Sequence, residues 1–183
     1  MMCSYFKAME KQLLLCIGTL VLIASCGGND LPDATASSGG NLDRFFTEEA
    51  HEGAALIHVA RQSASPGDEI TLQGMVMGRT RPFVEGRAAF VLGDRTLLTP
   101  CNEKDGDSCA TPWDVCCDSS EDKRNGTATI QIVDADGRVI GESLRGVNDL
   151  VELSSVTLKG TVAEGSGEDA LIVNATEIHV LRH

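Results

Sequence analysis

Ile70-Thr71-Leu72-Gln73-Gly74-Met75-Val76 is echoed later in the chain by Val156-Thr157-Leu158-Lys159-Gly160-Thr161-Val162. In the first copy Ile70, Leu72, Gly74 and Val76 alternate with Thr71, Gln73, Met75 and Met77. A period of two marks a strand with one face toward a core. Both copies carry glycine at the same place. A glycine inside a strand permits a sharp bend at a barrel corner.

Outward from these two stretches, Pro66-Gly67-Asp68 punctuates the chain before the first. Ala88, Phe90 and Leu92 form a second alternating set, and Ala128, Ile130 and Ile132 a third. Asp136-Gly137 is a hairpin signal followed by a short strand from Arg138 to Glu142. Val147 to Leu153 reads as one or two helical turns. Leu171, Val173 and Ala175, then Ile178 and Val180, make the last strand, and the change of phase predicts a bulge or twist between Ala175 and Ile178. Upstream, the spacing of Leu42, Phe45 and Phe46 predicts a short helix over about 42–52, and Ala54 to Ala60 reads as helix or an extra strand. The expected fold is all-β: a five-stranded Greek-key barrel with a short N-terminal helix and a long cysteine-containing loop. It resembles the OB-fold. There the first strand curls into both halves of the barrel and pairs with the fourth, so the echo reflects shared geometry and requires no duplication.

Four motifs carry a closer likeness: Pro66-Gly67-Asp68-Glu69-Ile70, Pro82-Phe83-Val84-Glu85-Gly86-Arg87-Ala88-Ala89-Phe90, Thr111-Pro112-Trp113-Asp114 followed by Cys116-Cys117, and Val173-Asn174-Ala175-Thr176. Over about Gly53 to His183 the chain resembles a family of small exported OB-fold proteins from planctomycete-type bacteria. The resemblance implies fold and export and assigns no activity.

The N-terminus is weakly basic, with Lys7 and Lys11 around Glu10, and continues into an apolar run from Leu13 to Ala24. This is the layout of a secretory signal, and it is short for a membrane span. The run ends in Ile23-Ala24-Ser25-Cys26, which resembles the lipobox of bacterial lipoproteins. The reading gives a signal over 1–25, a lipidated Cys26 with a Gly/Ser-rich flexible tether over 26–41, and a domain over 42–183. Met1, Met2 and Met9 are each possible starts. Two or three acyl chains give durable anchoring. The expected location is the cell envelope, and Gly27 after the cysteine points to the outer membrane.

The 183 residues include 15 basic and 27 acidic ones, for a net charge of −12. Without the signal, which holds Lys7, Lys11 and Glu10, 13 basic residues face 26 acidic ones, or −13. Such a surface repels phosphate backbones and anionic headgroups at large. The expected partners are therefore the membrane, through the lipid, and an envelope protein or glycan; charge argues against nucleic acid.

Asp94 to Gly126 separates the second and third strands, a length that is often functional. This loop holds Cys101, Cys109, Cys116 and Cys117, the sole tryptophan Trp113, and the acids Glu103, Asp105, Asp107, Asp114, Asp118, Glu121 and Asp122. Four cysteines in an exported domain predict two disulfides. Adjacent Cys116 and Cys117 rarely pair, which leaves 101–116 with 109–117, or 101–117 with 109–116. Each bridge would stabilise by about 2–3 kcal/mol, with Trp113 packed over the staples and no cofactor. The alternative is a thiolate site for zinc, copper(I) or an iron–sulfur cluster. The spacing C-x7-C-x6-C-C lacks the C-x2-C pairs of most zinc sites. A redox disulfide is a third reading, without a C-x-x-C motif.

Arg79, Arg81, Arg87 and Arg95 surround Phe83, opposed in that stretch by Glu85 and Asp94. Arginines and an aromatic beside an OB-type face suit a single strand by phosphate contact and stacking, and Arg79, Arg81, Phe83, Arg87 and Trp113 are the candidate ligand-binding residues. The plainer reading is an ion-paired loop. Asp105-Gly106-Asp107 and Asp134-Ala135-Asp136-Gly137 fall short of a full calcium loop. His51, His58, His179 and His183 form no catalytic motif, so no enzyme is expected. The sequence thus predicts a lipid-anchored envelope binding module, with a metal-binding or redox protein as the competing class.

Overall fold

The structure is a computed structural model and describes residues 42–106 and 108–181. The signal, Cys26 and the tether, together with Asp107 and His183, lie outside the described residues. Five strands form the frame: β1 (Glu69–Val76), β2 (Ala89–Gly93), β3 (Thr127–Gln131), β4 (Ser155–Val162) and β5 (Leu171–Val180). They close into a barrel in the order β1-β2-β3-β5-β4. Neighbours are antiparallel except β3 and β5, which run parallel. This is the expected OB-fold-like barrel.

The echoed strands β1 and β4 are direct partners, with Ile70 opposite Gly160 and Gly74 opposite Val156. Met75 and Val76 at the far end of β1 also pair with Gly93 and Leu92 of β2, so β1 serves both halves of the barrel. The two glycines mark close approaches. A Cβ at Gly74 would stand 2.7 Å from the Gly93 carbonyl oxygen. A Cβ at Gly160 would overlap the Asn174 carbonyl oxygen and press on Val173. The expected bulge lies opposite Gly160: Lys159 faces Glu177 while Gly160 faces Ala175, which leaves Thr176 as the extra residue.

Inward-facing residues fill the barrel, with Leu72, Val76, Phe90, Leu92, Ile130, Leu158, Val173 and Ile178 all buried. A satellite core of Met77, Leu98 and Val115, flanked by Met75, Leu97 and Trp113, lies under the β2–β3 loop. It buries too little apolar surface to fold alone, so it serves to seat that loop on the barrel.

The expected helix over 42–52 is replaced by a single 3-10 turn, Asp43–Phe45. Phe46 then bridges to Ile178, and the Thr47 amide donates to the Ile178 carbonyl at 2.9 Å. Pairing along β5 satisfies backbone groups that a short isolated helix would leave to solvent. Residues 54–60 do both things the pattern allowed. Ala55 bridges to Leu72, and α1 (Ile57–Ala60) follows. Past Asp136-Gly137 the chain makes the expected turn, but the strand over 138–142 reduces to one bridge, Val133 to Val139. Val147–Asp149 is a 3-10 turn. Among the described residues no helix is long and apolar enough to cross a membrane.

Asp94 ties α1 to the start of the β2–β3 loop. Its buried carboxylate accepts from the His58 backbone amide at 3.2 Å, lies 2.8 Å from His58 Nδ1, and accepts from the Thr96 amide and hydroxyl at 2.9 and 2.6 Å. Burial pushes this carboxyl up, but the hydrogen bonds from Thr96 and His58 outweigh it and hold the group below its ordinary value. A group depressed in the folded state stabilises the fold above its unfolded value, about 3.9. That contribution disappears as pH falls through the folded value. Denaturation midpoints measured from pH 7 to pH 3 should therefore fall, and Asp94→Asn should flatten the decline below pH 4. Parallel curves for the two proteins would contradict this role.

Candidate metal centre

The β2–β3 loop holds two helical segments. A 3-10 turn spans Cys101–Glu103, and α2 spans Ser120–Gly126. The Ser119 hydroxyl caps α2 by accepting from the Asp122 amide at 3.0 Å. Between them the loop folds back on itself. The Cys101 amide donates to the Asp114 carbonyl at 2.8 Å, and the Asn102 amide to the Pro112 carbonyl at 3.0 Å. This pairing is what brings Cys101 beside Cys116 across the intervening chain.

The loop is then pinned from outside. Trp113 Nε1 donates to the Thr80 carbonyl at 3.0 Å, and the Gly78 amide donates to the Trp113 carbonyl at 3.2 Å. The Thr80 hydroxyl donates to the Asp114 carboxylate at 2.9 Å. Asp118 accepts from the Thr99 amide at 3.0 Å and from the Lys104 ammonium at 2.5 Å. Trp113 therefore packs over the satellite core and clasps the β1–β2 loop, whereas it was expected over disulfides.

Sγ of Cys116 lies 3.6 Å from that of Cys101, 3.8 Å from that of Cys109 and 3.7 Å from that of Cys117. The expected disulfide pairings are not formed, since an S–S bond requires about 2.05 Å. The sulfurs of Cys101, Cys109 and Cys116 all lie within 4.8 Å of one another. Thiolates around a tetrahedral zinc, with Zn–S near 2.3 Å, stand about 3.8 Å apart. The two separations about Cys116, 3.6 and 3.8 Å, match that edge. Cys101 is buried in the loop and Cys116 is exposed, so the triad has one side in protein and one toward solvent. Cys117 is outside the set of three. Its sulfur is nevertheless 3.7 Å from that of Cys116, at the edge of the cluster.

Lys104 sits beside the sulfurs. Its ammonium is raised above its ordinary value, first by the Asp118 hydrogen bond and further by the nearby Cys117 and Cys101. Lys123 of α2 donates to the Cys116 carbonyl at 3.3 Å.

The expected arginine–aromatic cluster is split by the fold. Phe83 is buried in the main core, with its ring centroid 6.0 Å from that of Phe90. It is not open to a ligand, because its bridge to Phe90 turns the ring inward. Arg87 closes the turn after Val84 and does not reach the groove described next. Arg95 is ion-paired with Glu103 of the cysteine loop at 2.8 Å, as the plainer reading held. Arg79 and Arg81 line an open groove of about 810 Å³ with Cys116, Lys123 and Arg124. Sequence reasoning missed Lys104, Lys123 and Arg124 as neighbours of the cysteines, although the Ser119–Asp122 cap was a visible start signal for α2.

The other candidates are structural. Asp134 accepts from the Asp136 and Arg138 amides at 2.9 and 3.0 Å in its turn, and its carboxylate pairs with Arg138. His58 is committed to Asp94. His179 lies 3.0 Å through Nδ1 from the Thr47 carbonyl. Comparisons of the chain with protein-family models, curated proteins and solved structures return no match.

Proposed function

We propose that this protein is a lipid-anchored cell-envelope module whose OB-type barrel carries a thiolate metal site at Cys101, Cys109 and Cys116, suited to zinc or copper(I). The observation that carries the reading is the spacing of the three sulfurs, 3.6 and 3.8 Å about Cys116 with all three inside 4.8 Å. Soft thiolate donors select these ions over magnesium or calcium. Three protein ligands plus an open side is the arrangement of zinc sites that exchange or activate a fourth ligand, whereas structural sites are closed by four. The barrel and satellite core hold the loop in place before metal arrives, which lowers the ordering cost of binding. The lipid on Cys26 and the tether would present this site at the membrane surface.

The test is competition with a chromophoric chelator, on protein reduced and then freed of reductant. One zinc or copper(I) per chain, held against the chelator, is the expected result. No retention by the reduced chain would overturn the metal reading. It would favour the staple, which the 3.6 Å approach of Cys101 to Cys116 would then serve on oxidation.

A further inference from the structure

In a chain of net charge −12, positive charge converges on one groove. Arg79 and Arg81 from the β1–β2 loop face Lys123 and Arg124 from α2, with Asp114 and Asp169 as the acids of the lining. Four cations against two carboxylates leave a local excess of two positive charges. Asp114 is already engaged by the Thr80 hydroxyl and the Val115 amide. Arg79, Arg81 and Arg124 have no ion pair and no side-chain hydrogen bond among the described residues. Three guanidinium groups without a protein partner among the described residues are available to take the oxygens of an oxyanion.

The groove has one further lining residue of consequence, the exposed Cys116. Of the three clustered cysteines it is the one that faces this space. We propose that the groove is an anion subsite that brings a small phosphate-type oxyanion to the fourth position of the metal held by Cys101, Cys109 and Cys116. The inference rests on the metal reading above. A local excess of two charges matches a single phosphate dianion. A polyanionic strand would have to continue past Asp114 and Asp169 onto an acidic surface, which opposes it. Guanidinium forks suit phosphate oxygens bidentately, and a metal oxygen bond would take the oxyanion's remaining face.

The experiment uses the full chain loaded with cobalt(II) as a spectroscopic stand-in for zinc, titrated with inorganic phosphate. A sulfur-to-cobalt charge-transfer band reports the thiolate site, and the cobalt d–d bands report the fourth ligand. The expected result is a saturable change in the d–d bands. In Arg79→Ala/Arg81→Ala the phosphate concentration needed should rise about tenfold or more, with the charge-transfer band unchanged. Arg124→Ala, on the opposite wall, should act in the same direction. A charge-transfer band with d–d bands that phosphate does not move would overturn the subsite and leave the metal site standing. An equal response in wild type and the arginine variants would also overturn it. Absence of the charge-transfer band would sink the metal reading itself. A second arm presents phosphatidylglycerol vesicles in place of phosphate. A response to vesicles without one to free phosphate would reject a small soluble anion in favour of a lipid headgroup.

Discussion

Cys116→Ser is expected to weaken metal binding at least about a hundredfold, because one of three thiolates is lost from a site that is not closed by a fourth. Cys116 is the informative position. Its sulfur is the shared neighbour, 3.6 Å from Cys101 and 3.8 Å from Cys109. It is also exposed, so serine adds no buried unsatisfied group. Cys101→Ser would confound the measurement, since Cys101 is buried in the loop. Cys117→Ser is the matched control: the side chain is next in sequence and 3.7 Å from Cys116, but outside the three-sulfur set. It should change affinity by a few-fold at most. Equal losses in the two variants, read by chelator competition, would place all four cysteines on the metal and remove the open position.

Gly160→Val is expected to leave little folded protein. Its Cβ would overlap the Asn174 carbonyl oxygen and crowd Val173 and the Ala175 backbone, where Thr176 bulges out of β5. The Asn174 oxygen and the Ala175 Cα are main-chain atoms in a closed barrel and cannot swing aside as a side chain end would. Overpacking of this kind costs about 3 kcal/mol or more, against a typical total stability of about 5–15 kcal/mol. Two branched methyls add to the overlap. Lys159→Ala, one residue away, removes only an exposed pairing to Glu177 at 3.3 Å and should cost less than about 1 kcal/mol. Urea denaturation of the two variants separates these outcomes. A Gly160→Val midpoint close to wild type would mean that the β4–β5 bulge is not held by that glycine.

The barrel was legible because its cues are local and repeated. Alternation in the echoed stretches, glycine at matching positions, and the phase change before Ile178 each describe backbone geometry that the residues themselves impose. The N-terminal helix, expected from the helical spacing of Leu42, Phe45 and Phe46, is absent because pairing with Ile178 satisfies the same backbone groups through a distant strand. Phe83 and Arg87 looked like one binding cluster with Arg79 and Arg81. Phe83 turns into the core and Arg87 sits in a turn, so adjacency in sequence was not adjacency in space. The sequence names the four cysteines but offers a thiolate site only as the alternative to disulfides, for a related reason. C-x7-C-x6-C shows no local metal-ligand pair, and the sulfurs meet only because Cys101 and Asn102 pair with Asp114 and Pro112. Lys123 and Arg124 reach that site from α2, a helix of seven residues with no apolar period to announce it.

The most direct test of the metal site is the mass of the protein taken from an oxidising periplasm without reductant or chelator, measured under native and then denaturing conditions. The predicted result is one zinc or copper ion on the native chain, with the four cysteines of the loop fully reduced after denaturation. A chain without metal, lighter by the hydrogens of one or two disulfides, would contradict the account and make the cysteine loop a staple.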